Sequence, residues 1–265
     1  MKLTSATSLP LKSLLTLCLL GLSSAAYSAA LQNFDDPTYD TPTQVQLTHH
    51  DVRLEYNQPV RLERVLADAT QQDLLSVDNH SYHEGYRLFD VSKQPQTDEL
   101  YTSVRERLNV LAQDSDYQTI ASSLLRQLKQ HQYGYRLVTN LDRDVLRLDN
   151  TLNPLLPGQY ELALNGRPST VSLFGVPEQQ SLRYHAGWFI SDYLKQAMYP
   201  RTSRDSFAWL IQPDGTIEKT GIAYWNNQHI SPLPGGAIFI GFNSGDDELQ
   251  QLEQDIATLI SMVKN

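Results

Sequence analysis

SFAWLIQPDGTIEKTGIAYWNNQHISPLPGGAIFIGF, residues 206–242, decides the fold. Phe207 to Gln212 and Thr216 to Thr220 are β-prone runs on either side of Pro213-Asp214-Gly215. Asp-Gly between such runs is a strong hairpin signal, because tight hairpin turns need residues that tolerate positive φ. Pro232 to Gly236 then punctuates the chain before the apolar run Ala237 to Phe242, which reads as a buried strand. Working outward, PSTVSLFGV from Pro168 supplies a further strand, and Ala186 to Met198 reads as a helix with Trp188, Phe189, Tyr193, Leu194 and Ala197 turned inward. Downstream, Asn243 to Asp246 offers turn and cap residues, and Leu249, Leu252, Ile256, Leu259, Ile260 and Val263 form one apolar face of a closing helix.

The N-terminal half has the same ingredients. Val45 to Leu47, Val52 to Tyr56 and Tyr86 to Val91 read as strands, and Val60, Leu62, Val65, Leu66 and Ala69 follow a helix period. Residues 97–132 hold no Gly or Pro and carry two apolar stripes, Leu100, Val104, Leu108, Leu111 and Ile120, Leu124, Leu125, Leu128, divided by Asp114-Ser115-Asp116. That pattern predicts a helical hairpin inserted between strands. Strands are expected again at Tyr135 to Thr139, Val145 to Leu148 and Gln159 to Leu164. Leu-Pro-Gly precedes an apolar strand at Leu156 and again at Leu233, which implies a tandem of like units.

Residues 1–30 have the form of a secretory leader: Lys2 and Lys12, the short apolar run Ser13 to Leu22, and small residues from Ser23 to Ala30. The apolar run falls short of the roughly 20 residues a membrane-spanning helix needs. A periplasmic protein without a membrane span is therefore expected. Its single cysteine, Cys18, lies inside that run and follows Leu17, so cleavage would leave no thiol for disulfides, zinc or catalysis. Loss of Lys2 and Lys12 would leave 19 bases (21 less 2) against 30 acids, a net charge of −11. Such a chain repels nucleic acid unless a basic patch intervenes, and none is visible.

The strands TVSLFG, FAWLIQPDG and LPGGAIFIGF, the segment AYWN and the closing helix resemble, in register from Pro168 to Asn265, the C-terminal half of the GfcC family of capsule-biosynthesis proteins. GYRLVTNLDRDVLRL from Gly134 resembles the family more loosely. The resemblance implies two β-grasp domains similar to those in the periplasmic part of the Wza-type polysaccharide export pore. The expected class is α+β, with a leader over 1–30, a first β-grasp-like domain over 31–166 carrying the hairpin at 97–132, a second over 167–245, and an amphipathic helix over 246–265. The resemblance also implies an accessory role in making or exporting surface polysaccharide. The expected partners are polysaccharide or the export machinery, the expected state is a monomer, and no cofactor or metal is expected.

No phosphate loop, hydrolase elbow, zinc-protease helix or dinucleotide fingerprint occurs. Asp78 and His80-Ser81-Tyr82-His83-Glu84 have metal-like composition without metal-like spacing, and read as a solvated loop, as His49, His50, His131, His185 and His229 read as non-ligands. Arginine is the more pointed signal, because its planar fork matches the carboxylates of acidic sugars. Arg136 opens an expected strand and, by the resemblance, aligns with an arginine that recurs in the family; its replacement is expected to spare folding. Arg147 lies between Leu146 and Leu148 on another expected strand. Tyr224, Trp225 and Asn226 combine rings for stacking on a sugar with an amide for its hydroxyls. The apolar face Leu249, Leu252, Ile256, Leu259, Ile260, Val263 has two readings: cover for the chain's own sheet, or a surface for a partner. An enzyme acting on glycan, a hydrolase or transferase, is the alternative to a non-catalytic accessory.

Overall fold

The computed structural model describes residues 41–48, 52–71, 82–176, 180–197 and 206–264. The expected leader, and His49, His50, Asp78 and His80, lie outside the described residues. The fold is mixed α and β. In chain order the N-terminal half gives β1 (Thr43–Leu47), β2 (Val52–Tyr56), β3 (Val60–Arg61), α1 (Leu62–Gln71) and β4 (Arg87–Asp90). There follow α2 (Gln94–Leu111), α3 (Gln118–Leu128), β5 (Arg136–Leu137), α4 (Arg143–Leu148), β6 (Leu155–Leu156) and β7 (Gly158–Ala163). The C-terminal half gives β8 (Thr170–Phe174), β9 (Gln180–Arg183), α5 (Ile190–Gln196), β10 (Phe207–Ile211), β11 (Ile217–Gly221), β12 (Ala237–Phe239) and α6 (Asp247–Ser261).

Two five-stranded sheets result, ordered β2-β1-β7-β4-β5 and β9-β8-β12-β10-β11. Counted within each sheet, leaving out the separate pair β3–β6, both orders are 2-1-5-3-4. In each, the first and last strands form the one parallel pair, β1 with β7 and β8 with β12, and every other pairing is antiparallel. A helix, α1 or α5, links the second and third strands of each sheet. The two Leu-Pro-Gly signals lead into the central parallel strands, and both glycines use positive φ, +98° at Gly158 and +85° at Gly235. A side chain at either point would be strained, and so these turns can release the chain into the middle of a sheet.

Side-chain alternation divides the second sheet between two cores. Val171, Leu173, Ala208, Leu210 and Ile238 meet Tyr193 and Leu194 of α5. Phe174, Ile211, Phe239 and half-buried Trp209 point the other way and meet α2, α3 and α6. The first sheet has its own core, Val45, Leu47, Leu88 and Leu162 against α1 and α4. Thus α2 and α3, encoded in the N-terminal half between β4 and β5, cover the sheet of the C-terminal half. Gln127 on α3 fixes that placement: its buried amide donates to the Val176 carbonyl at 3.0 Å and accepts from the Gly175 N–H at 3.0 Å.

Several local expectations need correction. Val145 to Leu148 lies in helix α4 rather than a strand. Asp142 caps it by accepting from the Asp144 N–H at 2.8 Å, and that local bond outweighs the β preference of so short an apolar run. The expected helix from Ala186 shrinks to Ile190–Gln196, so Trp188 and Phe189 precede it. Strand β9 has no clear alternation in QSLR and went unread.

Helix α6 buries Ile256 completely within the core shared with α2, α3 and the second sheet. Ile256→Ala therefore removes about 2–5 kcal/mol of stability. Urea denaturation will show this as a lower midpoint at unchanged slope; an unchanged midpoint would contradict the assignment of α6 to the core.

Candidate functional site

The residues singled out in the sequence fall into three environments. The first is interior. Arg136 keeps only 7% of its surface and lies on the face of β5 turned away from the first sheet's own core, paired in register with Phe89. Its Nη1 donates to the Ser261 carbonyl at 3.0 Å and its Nη2 to the Pro213 carbonyl. Arg87, two residues before Phe89 on β4, donates from Nη1 to the Val263 carbonyl at 2.6 Å. Both guanidiniums thus serve the C-terminal end of α6, where helix carbonyls lack intrahelical partners and the macrodipole is negative. Burial first, then the neighbouring Arg87 charge, lowers Arg136 to about 9, with Asp214 acting in the opposite sense. The group remains a cation at neutral pH. Against the expectation that Arg136 could be replaced without harm to folding stands its burial, with donors spent on carbonyls of two different elements.

The six apolar residues of α6 belong to the same interior. Leu252, Ile256, Leu259, Ile260 and Val263 are buried, and Leu249 packs on the core edge. In this structure they cover the second sheet from inside and present no face to a partner. Glu253, which the sequence reading overlooked, is 2% exposed and anchors the helix: it accepts from Trp209 Nε1 at 3.1 Å, Lys219 Nζ at 3.1 Å and the Asn243 N–H at 2.9 Å. Only the wide spacing of Trp209, Lys219 and Glu253 hid this network, since no local pattern links residues so far apart.

The second environment is solvent without constraint. Arg147 is exposed on α4 and forms an i,i+3 ion pair with Asp144 at 3.8 Å. Such a pair fixes little.

The third is an ordered surface. Tyr224 is 100% exposed and Trp225 73% exposed, adjacent on a turn from Ala223 to Asn226 rather than within a strand. Asn226 builds that turn. Its Oδ1 accepts from the Ala223 N–H at 2.8 Å and its Nδ2 donates to the Ser206 carbonyl at 3.0 Å. The amide expected to meet a ligand is committed to the backbone, and the two rings project from it. Further along the loop, His229 adopts φ +54° and contacts Phe189 edge-on at 5.1 Å between ring centres. His83 lies 3.4 Å from Glu84 and 3.6 Å from Asp142, yet among the described residues no group of three or more potential metal ligands converges. Among the described residues no helix is long and apolar enough to cross a membrane.

Comparison with known families gives a match at residues 41–167 to the model described as capsule biosynthesis GfcC, N-terminal, and at residues 178–263 to capsule biosynthesis GfcC C-terminal. The chain belongs to the GfcC family. It is also 34% identical over 121 residues to a protein of Escherichia coli (strain K12) described as Uncharacterized protein YjbG. That match covers 45% of this chain and 49% of the relative, so the chain spans about half the length of the curated relative it matches. Within the GfcC frame, the N-terminal match holds the whole first sheet together with α2 and α3, and the C-terminal match holds β9 to α6. Strand β8, an interior strand of the second sheet, falls between the two.

Arg136→Ala strips the Ser261 and Pro213 carbonyls of their donor in a dry setting and is expected to cost about 2–4 kcal/mol. A thermal melt of wild type and variant measures it; equal melting temperatures would show that the junction carries no stability.

Proposed function

We propose that this GfcC-family protein is a periplasmic, non-catalytic accessory of capsule or surface-polysaccharide assembly or export. We infer that each sheet, with its 2-1-5-3-4 order and crossover helix, is a β-grasp unit, with α2 and α3 a helical hairpin added to the first. The observation that carries the binding reading is the pair Tyr224 and Trp225, both exposed and held on one hydrogen-bonded turn. Aromatic rings in water are a poor use of apolar surface unless something covers them. A sugar suits them: its CH face stacks on a ring, and its hydroxyls bond to the surrounding polar groups. The buried charged groups support a binding role over a catalytic one, because Arg136 and Glu253 are both consumed by the fold.

The test is calorimetric titration of the protein with oligosaccharides cut from the producing organism's surface polysaccharide. Replacing Tyr224 and Trp225 together by Ala should weaken binding roughly two- to tenfold, with the melting temperature unchanged. Equal affinity in that variant would remove the rings from the site. Shortened or extended sugars recovered from the cell would replace the accessory reading with the enzymatic one.

A further inference from the structure

Arg167 lies on the crossing from the first sheet to the second, between β7 and β8. The crossing is fixed in place. Pro168 rests against Gly235, where an added Cβ would come within 2.7 Å of the proline ring. From there the Arg167 guanidinium reaches between two tyrosines of different halves, its Cζ 5.9 Å from the ring centre of Tyr82 and 5.9 Å from that of Tyr184. Neither tyrosine is loose. The Tyr82 hydroxyl donates to the Pro234 carbonyl at 3.0 Å, and its ring lies over Gly85, where a Cβ would meet it at 2.8 Å. The Tyr184 N–H donates to the Ser169 carbonyl at 2.7 Å, and its ring packs on the α5 core. Next along the chain, His185 stacks on Trp188 at 4.1 Å and 24°, and buried Tyr193 supports Trp188 edge-on at 5.3 Å.

The cation at the centre of this arrangement is exposed, and no described carboxylate forms an ion pair with it. Two carboxylates act on Tyr82 from nearby: Glu84, 3.4 Å from His83 Nε2, and Asp214, which accepts from the Thr216 N–H at 2.8 Å. With 30 acids against 21 bases in the chain, a surface arginine has no shortage of candidate partners. Here the tyrosine faces hold the guanidinium by cation–π attraction and leave its in-plane N–H groups for an outside acceptor. A carboxylate fits that fork with two parallel bonds, while stacked rings beside it fit the faces of sugar rings.

We propose that Arg167, held between Tyr82 and Tyr184 beside the His185–Trp188 stack, is a subsite for an acidic sugar, with the guanidinium taking the carboxylate of a uronic acid residue. This rests on the glycan-binding reading above and names the ligand's chemical class. The experiment uses two probes with the same backbone, tetragalacturonate and its full methyl ester, titrated calorimetrically into wild type, Arg167→Gln and Arg167→Lys.

The acid form is expected to bind wild type at least about tenfold more tightly than the ester. Arg167→Gln should close that gap with no change in melting temperature. Arg167→Lys, a charge without the fork, should restore it only in part. A gap that survives in Arg167→Gln overturns the proposal. If neither probe binds wild type while oligosaccharides of the organism's own polysaccharide do, the acidic subsite falls and the glycan reading stands. If those oligosaccharides also fail to bind, the glycan reading falls and takes the subsite with it.

Discussion

Everything in this molecule leans on the C-terminal end of α6. A helix terminus leaves carbonyls without donors, and burying such an end is costly unless something supplies them. Two arginines from neighbouring strands do so, Arg136 on the Ser261 carbonyl and Arg87 on the Val263 carbonyl. Burying two guanidiniums is itself unfavourable: burial lowers the proton affinity of both groups, and the Arg87 charge lowers that of Arg136 further. The helix dipole and the carbonyls offset that cost. Around the same point, Lys264 pairs with Glu161 of β7 at 2.6 Å, the Gly134 N–H bonds to the Met262 carbonyl at 3.0 Å, and Arg136 reaches on to the β10–β11 turn at Pro213. First sheet, helical insertion and second sheet therefore meet on one helix end.

This arrangement determines which surfaces are left. Because α6, α2 and α3 occupy one face of the second sheet and α5 the other, neither face of that sheet is free. The rim of that sheet carries the exposed turn bearing Tyr224 and Trp225, the half-buried rings before α5, and the crossing at Arg167. The amphipathic helix, which by pattern alone suits a partner as well as a core, has its apolar side committed inward. The exposed rings are instead fixed from beneath by the core.

Much of the fold was legible because its signals are local. The Asp-Gly hairpin, the two Leu-Pro-Gly turns and the period of α6 each declare themselves within a short stretch of chain, and each stands where the pattern put it. The site was less legible. Arg136 reads as a strand residue with a free fork, since nothing in the neighbouring sequence announces Ser261 or Pro213 as acceptors. Val145 to Leu148 fits a strand by composition until the Asp142 cap is seen to act. Arg167 sits in a plain Gly-Arg-Pro link, and its meaning comes wholly from Tyr82 and Tyr184, brought together by the return of the chain. Residues whose roles depend on contacts far apart in sequence leave no periodic trace.

The claim that one helix end joins both halves is tested most directly by native-state hydrogen exchange across the described strands. If the junction governs, amides of β4 in the first sheet, β10 in the second, and α6 open together, at one shared free energy equal to that of global unfolding. Two separate opening energies, one for each sheet with α6 following only the second, would contradict the account.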